Sequence, residues 1–169
     1  MMITDLVQIR RLGEKKQKEN ERFRKHLKSR EWVERQLRKA AQEIQDQIDC
    51  RACAECCRCT EVEPTRRDIE RLSKFLGITG REFIAKYTMT AGDGSRILKR
   101  TEKEGCVFLD GNFCTVYEAR PVDCSGFPHL LRGTGSIPAK MWAFVERATF
   151  CPIVYNWMEA AKDLTKFRR

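Results

Sequence analysis

Nine cysteines occur in this chain of 169 residues, and the first of them follow a spacing typical of metal binding. Cys50, Cys53, Cys56 and Cys57 form a C-x-x-C-x-x-C-C run, and Cys59 follows closely. A C-x-x-C turn lets two thiolates reach one metal ion from the same side, with its amide N–H groups directed at the sulfurs. Three cysteines at this spacing with an adjacent fourth therefore predict a metal centre.

Four further cysteines lie downstream and are available as remote ligands: Cys106, Cys114, Cys124 and Cys151. A C-x-x-C-x-x-C run with a remote fourth cysteine is how small ferredoxins hold a [4Fe–4S] cluster. Structural zinc sites more often use paired knuckles of two cysteines each. The spacing thus favours an iron–sulfur cluster, and it leaves zinc open because the first run can pair with the later cysteines.

The vicinal cysteines and the two histidines bear on the choice of ligands. Adjacent side chains tend to point apart, so we expect Cys56 and Cys57 not to chelate one ion side by side. His129 follows Cys124 by five residues and is therefore a candidate ligand. It is a weaker candidate than the cysteines, because enough of them are available. His26 lies in a charged segment, and we expect it to be solvated.

The composition indicates where such a protein would work. Hydrophobic residues make up 41% and charged residues 34% of the chain, which is typical of a globular protein with a modest apolar core. The start of the chain lacks the apolar run of a signal peptide, and the most apolar stretches, 141–145 and 153–155, are too short to span a bilayer. We therefore expect a cytoplasmic protein without a membrane segment, in a reducing compartment where clustered cysteines favour metal over disulfides.

The net charge of +9 bears on partners. The excess of basic residues is spread along the chain and forms no single stripe, so nucleic-acid binding is not indicated. Metal-bound thiolates are negative and would offset part of this charge. The expected partners are metal ions, and an unknown protein partner is left open.

Residues 1–49 are predicted to form a charged helical arm with one narrow apolar face. The arm has a candidate N-cap at Ser29, which predicts two helices broken near that residue. We expect a monomer with the face covered by the rest of the chain, because the repeat is too short and irregular for a coiled coil. Its apolar residues recur at intervals of three to four positions: Phe23, Leu27, Val33, Leu37, Ala40, Ile44 and Ile48.

Residues 50–169 are predicted to form a cysteine-cluster metal-binding domain. Capping signals place helices after Thr65, after Thr79 and from Pro152, and the Asp110-Gly111 pair predicts the turn of a β-hairpin. The fold class expected is α+β, mainly α, with the arm packed on a small metal-centred core that contains one hairpin. Two segments have no regular structure assigned: 50–59, expected as a loop around the metal, and 129–150, which is ambiguous.

Several motifs occur in the order that is found in a known family. They are the four-cysteine run, Gly105-Cys106-Val107-Phe108-Leu109, Cys114-Thr115-Val116-Tyr117-Glu118-Ala119-Arg120-Pro121, Cys124, Phe127-Pro128 and Cys151-Pro152. Over roughly residues 48–155 the chain resembles the YkgJ family of CxxCxxCC zinc- or iron-chelating domains. The resemblance implies that Cys59 is not a ligand and that the metal-associated set is Cys50, Cys53, Cys56, Cys57, Cys106, Cys114, Cys124 and Cys151.

Arg120 lies within this pattern and is the candidate for holding a cofactor or substrate. Its guanidinium can donate hydrogen bonds to a thiolate or to a substrate carboxylate. The alternative is a structural ion pair with Glu118 or Asp123. In the family an arginine commonly follows the equivalent of Cys124, and this chain has Ser125 there.

Three classes of function compete on these observations. The first is a metal-binding protein without catalysis, and the second is a cluster-dependent enzyme, because the flagellin lysine methylases share the cysteine motif. Against an enzyme, the sequence has no Gly-rich turn for a nucleotide-like cofactor, and no catalytic residue is identified. The third is a nucleic-acid-binding zinc protein, supported by charge alone. We therefore predict a metal-binding protein that coordinates an iron–sulfur cluster, [4Fe–4S] by preference, or zinc, and leave catalysis open.

Overall fold

The computed structural model of the chain describes residues 2–28, 34–101, 103–132 and 135–168. Within these residues the α-helices are α1 (Leu6–Lys15), α2 (Gln17–Lys28), α3 (Glu34–Gln45), α4 (Cys50–Cys53), α5 (Glu55–Cys59), α6 (Arg66–Leu76), α7 (Gly80–Tyr87), α8 (Val122–Gly126), α9 (Ile137–Arg147) and α10 (Pro152–Leu164). A 3-10 helix covers Tyr117–Ala119. No helix in this described part is long and apolar enough to cross a membrane.

Short antiparallel strand pairs accompany the helices. They are β1 (Thr88–Thr90) with β2 (Arg96–Leu98), β3 (Arg100–Thr101) with β4 (Gly105–Cys106), and β5 (Leu109–Asp110) with β6 (Phe113–Cys114). The predicted α+β, mainly α class is confirmed. The described residues contain three strand pairs, where the sequence predicted one hairpin.

The chain divides into two compact units. The helical unit consists of Met1–Asp49 together with Pro128–Arg169, and the cysteine-rich unit is Cys50–Phe127. The predicted division into an arm at 1–49 and a domain at 50–169 stays a prediction, since compactness does not show which part folds by itself.

The apolar face of the arm is buried inside the helical unit. Helix α2 packs on α9, and α3 packs on α10. Phe23, Leu27 and Leu37 are at most 1% exposed. Trp157 of α10 is fully buried, and its indole N–H donates to the Leu37 carbonyl at 3.0 Å. Apolar burial and a satisfied indole N–H therefore hold α3 against α10.

Local capping chemistry places the predicted helix ends correctly. Thr65 and Thr79 each form a reciprocal capping box at the start of α6 and α7. Gly77 ends α6 with a φ of 68°, a conformation that glycine adopts without a Cβ penalty. Pro152 occupies the first turn of α10. These signals lie within a few residues of the helix end they determine, so the sequence alone carries them.

Other predicted boundaries are corrected. Residues 50–59, predicted as a loop, form α4 and α5, with Ala54 between them in the left-handed region at a φ of 52°. Residues 129–150, left ambiguous, contain α9. The arm has a further break at Lys16, which neither glycine nor proline signals. The predicted break at Ser29 lies outside the described residues.

Gly13 provides a test of the packing of the helical unit. A Cβ at this position of α1 would lie 2.5 Å from the Ala148 carbonyl oxygen and 2.6 Å from the Thr149 Cα, both backbone atoms. Gly13→Ala should therefore lower the free energy of unfolding by about 1–3 kcal/mol, although alanine has the higher helix propensity. Urea unfolding followed by circular dichroism measures this difference.

The control is Gly80→Ala, also at a helical glycine. There the nearest atom to an added Cβ is the Ile69 Cγ2 at 3.8 Å, an ordinary contact distance. We expect this variant to be as stable as the parent or more stable by up to about 1 kcal/mol. Equal stability of Gly13→Ala and the parent would contradict the close approach of α1 to residues 148–149.

Candidate metal centre

Two of the cysteines pack against the apolar core of the cysteine-rich unit. Cys106 on β4 and Cys114 on β6 lie partly buried against this core. Burial raises the pKa of the Cys106 thiol to about 11, and burial also raises the pKa of Cys114. Both thiols are therefore held in place and protonated at neutral pH. The core side chains are Leu72, Phe83, Leu98, Phe108, Val116 and Ala119.

Backbone amides point at several of the sulfurs, and one of them, that of Glu55, lies within a C-x-x-C turn, where the sequence predicted such donors. In each case the donor is the amide N–H two residues after the cysteine, and its hydrogen bond lowers the pKa of the thiol against the effect of burial. Such donors stabilise negative charge on sulfur, which is the state that binds metal. The pairs are Glu55 to Cys53, Phe108 to Cys106, and Val116 to Cys114.

Cys57 is a common neighbour of four other thiols. A charge on Cys57 raises the pKa of Cys53, Cys106, Cys114 and Cys124, so all four lie within electrostatic range of it. Burial, followed by the charges of Cys57, Cys106 and Cys114, raises the pKa of Cys124 to about 12. The fold thus brings together thiols from α4, α5, β4, β6 and α8.

The vicinal cysteines contact each other. A hydrogen bond from the Cys56 thiol, together with the smaller effects of the Arg58 and Arg120 charges, lowers the pKa of Cys57 to about 7 in spite of burial. The two side chains therefore do not point apart, and the expectation that they do not chelate one ion side by side stays a prediction. Both residues lie on α5, where successive side chains are separated by about 100° and not by the half-turn of an extended chain.

The remaining cysteines differ in exposure. Cys50, at the start of α4, is exposed, and Cys151, just before α10, is buried in the helical unit. Cys59 is exposed, and its thiol donates to the Glu55 Oε1 at 3.4 Å. None of the nine cysteines, all of which lie in the described residues, forms a disulfide.

The two histidines lie in the helical unit. His129 has a φ of 66°, and its carbonyl accepts a hydrogen bond from the Lys140 Nζ at 2.7 Å. His26 is not the solvated side chain that its charged segment suggested, because its ring packs against Phe23 and Phe167. The apolar positions of α2 draw it into an aromatic cluster.

The donor set fits a thiophilic metal in chemistry, but its geometry is not that of coordination. In the part of the chain that the structure describes, no three His, Cys, Asp or Glu side chains are placed so that they could hold one metal ion. Thiolates are the ligands that zinc and iron–sulfur clusters take from proteins. Because burial keeps Cys106 and Cys124 protonated, metal binding there would release their protons.

Arg58 joins the cysteine run to the β5–β6 hairpin. Its Nη2 donates to the Gly111 carbonyl and to the Asn112 Oδ1, each at 2.6 Å, and its Nη1 donates to the Cys53 carbonyl at 3.2 Å. Asn112 returns a bond from its Nδ2 to the Ala52 carbonyl at 3.0 Å. No local sequence signal marks these two residues, because their contact spans more than fifty positions.

The hairpin itself is confirmed, with a shifted turn. Asp110 pairs with Phe113, which leaves Gly111 and Asn112 at the turn, one residue later than the predicted Asp110-Gly111 pair. Gly111 has a φ of 58°, the left-handed conformation that such a tight turn requires. The shift puts the Asn112 side chain where it meets Arg58.

Arg120 lies beside the thiols and over an aromatic ring. Its guanidinium carbon is 3.9 Å from the centroid of the Tyr117 ring. Its charge lowers the pKa of Cys57 and of Cys114, in addition to the larger effects described above. The residue thus contributes positive potential where thiolates would form.

Comparison with known proteins identifies the family of the chain. No solved structure matches it. A family model described as "CxxCxxCC: Putative zinc- or iron-chelating domain" matches residues 49–152, more than half of the chain and a span that includes every candidate cysteine ligand. Zinc or iron therefore fits as the bound metal. The chain belongs to the CxxCxxCC family of zinc- or iron-chelating domains.

Proposed function

We propose that this protein holds an iron–sulfur cluster, of the [4Fe–4S] type in preference to zinc, on cysteine thiolates in the reducing cytoplasm. The ligands are drawn from the eight cysteines of the family pattern. They are Cys50, Cys53, Cys56, Cys57, Cys106, Cys114, Cys124 and Cys151.

The observation that carries the proposal is the convergence of thiols on Cys57. Cys53 comes from the same run, whereas Cys106, Cys114 and Cys124 come from segments far along the chain, and each interacts electrostatically with Cys57. Several partly buried thiols that repel one another when ionised have no structural benefit without a compensating cation. A metal supplies that cation, and amide N–H groups supply part of the remaining stabilisation.

The chain's own residues have separable roles in this proposal. Arg58 holds the cysteine run against the hairpin, and the apolar core under Cys106 and Cys114 keeps water from the sulfurs. Arg120 adds positive charge at Cys57. When bound, the cluster would supply charge compensation and one-electron redox chemistry.

Metal analysis tests the proposal directly. Protein purified without oxygen should contain stoichiometric iron and acid-labile sulfide and should absorb broadly near ~400 nm, the region expected for thiolate-to-iron charge transfer. The measurements are elemental analysis, sulfide assay and the absorption spectrum. Stoichiometric zinc without sulfide or colour would reject the cluster and keep the cysteine site, and absence of either metal after reconstitution would reject both.

Serine substitutions test which thiols are ligands. Cys53→Ser and Cys124→Ser should each remove most of the bound metal and reduce solubility, because metal binding and folding are coupled. Cys59→Ser is the control: this thiol is exposed and bonded to Glu55, so its loss should leave metal content unchanged. Metal loss as complete in Cys59→Ser as in Cys53→Ser would show that the ligand assignment is wrong.

Gly105 tests whether β4 must approach α5. A Cβ there would lie 2.8 Å from the Cys57 carbonyl oxygen and 2.9 Å from the Arg58 Cα. Gly105→Ala should push Cys106 away from Cys57 and lower metal content several-fold. Elemental analysis of variants purified side by side measures this.

Gly111→Ala is the matched control for Gly105→Ala. Both glycines have positive φ, 77° and 58°, so both variants carry the roughly 1–2 kcal/mol cost of a left-handed alanine. No atom lies within 4 Å of a Cβ at Gly111. Gly111→Ala should therefore stay close to the parent in metal content. Equal metal loss in the two variants would mean that backbone strain, and not the approach of β4 to α5, limits binding.

A further inference from the structure

A pocket of about 360 Å³ opens on the surface of the cysteine-rich unit, with walls from α6, the 3-10 helix and α8. Its volume lies within the range of small-molecule sites. The side chains that line it are Arg71, Tyr117, Glu118, Arg120, Val122 and Ser125.

Arg120 offers unused hydrogen-bond donors to this pocket. Its guanidinium stacks on the Tyr117 ring at 3.9 Å. Neither Glu118 nor Asp123 forms the structural ion pair that the sequence left open as an alternative, within the residues that the structure describes, and the guanidinium donates no hydrogen bond there. A planar guanidinium fixed on a ring is pre-organised to bind a carboxylate through two parallel hydrogen bonds.

Arg71 has a different role in the same pocket. Its Nη2 donates to the Asp68 Oδ1 at 2.5 Å and to the Arg120 carbonyl at 2.8 Å, and its Nε donates to the Ala119 carbonyl at 3.2 Å. Asp68 is only 1% exposed and compensates the charge of Arg71. Arg71 therefore holds the backbone that carries Arg120, and its own charge is already matched.

Burial raises the pKa of Asp68, but hydrogen bonds from Thr65, Arg71 and the Val122 amide outweigh burial and hold the pKa below its ordinary value. Asp68 is thus ionised at neutral pH, and its bonds to Arg71 and to the Val122 amide anchor the wall of the pocket. Among the described lining residues, Arg120 is left as the cation without a carboxylate partner. The apolar part of the wall consists of the Tyr117 ring and the Val122 side chain, both of which are exposed.

We propose that this pocket binds a small organic carboxylate, whose anionic group pairs with Arg120 and whose apolar part contacts Tyr117 and Val122. This site is additional to the metal centre, and the ligand is recognised by charge and by an apolar wall. Glu118 lines the same pocket and opposes an anion, so it limits the affinity. A carboxylate with an adjacent ring or hydrocarbon group suits the pocket better than an inorganic anion.

Benzoate and benzamide, which share shape and differ in charge, test this site on the full-length, metal-loaded protein. Titration followed by saturation-transfer NMR and calorimetry should detect benzoate and should show benzamide bound about tenfold more weakly or not at all. Arg120→Gln should weaken benzoate binding by about tenfold or more, and Arg120→Lys should restore part of it. Equal binding of the two probes, or no binding of benzoate at millimolar concentration, would overturn the proposal.

Glu118→Gln is the second variant, and it changes affinity in the opposite direction. Removing this carboxylate should strengthen benzoate binding several-fold and leave benzamide binding unchanged. It keeps the test decisive if Arg120→Gln does not fold, since unchanged benzoate affinity in Glu118→Gln would also count against an anion at this pocket. Metal content measured on each sample separates this result from the fate of the proposed metal centre.

Discussion

The guanidinium of Arg58 joins two chain segments that carry candidate metal ligands, the cysteine run and the β5–β6 hairpin. It bonds to the Cys53 carbonyl on one side and to the Gly111 carbonyl and the Asn112 amide oxygen on the other. These are charge-assisted bonds, which are stronger than neutral ones. Without them α4 and α5 would have few contacts with the hairpin, because these helices are very short and contribute little apolar surface. The arrangement of thiols around Cys57 therefore depends on a residue that is not itself a thiol.

The sulfurs lie in surroundings that favour the neutral thiol over an uncompensated thiolate. Burial raises the pKa of Cys106 to about 11 and that of Cys124 to about 12, so each is neutral near pH 7 when no cation is present. A bound metal reverses this preference, because it compensates the charge that the apolar core disfavours. The same core that positions the donors thus makes their ionised form dependent on a cation. Metal content and stability should rise and fall together for this reason.

The sequence was sufficient wherever a structure is determined within a few residues. The capping boxes at Thr65 and Thr79 located α6 and α7, and the cysteine motifs identified the family, which the family model confirms. It was insufficient where a structure depends on a residue far along the chain. No local pattern marks the role of Arg58, because its hairpin partners are over fifty positions away. The 50–59 segment was predicted as a loop because a metal-wrapping turn was assumed to be irregular, whereas the chain achieves the turn with two helical turns and one left-handed residue at Ala54. The ligand set remains a prediction.

The helical unit is built from both ends of the chain, with the cysteine-rich unit inserted between its halves. Leu37 and Trp157, whose hydrogen bond links α3 to α10, are 120 residues apart. On the ribosome, α2 and α3 emerge long before α9 and α10. At a synthesis rate of about 5–20 residues per second, their apolar faces stay exposed for several seconds before α9 and α10 can pack on them. The cysteine-rich segment is contiguous and can complete its contacts in that interval. The helices made first are thus the ones that most need protection from aggregation, and a chain released early would lack the surfaces that cover them.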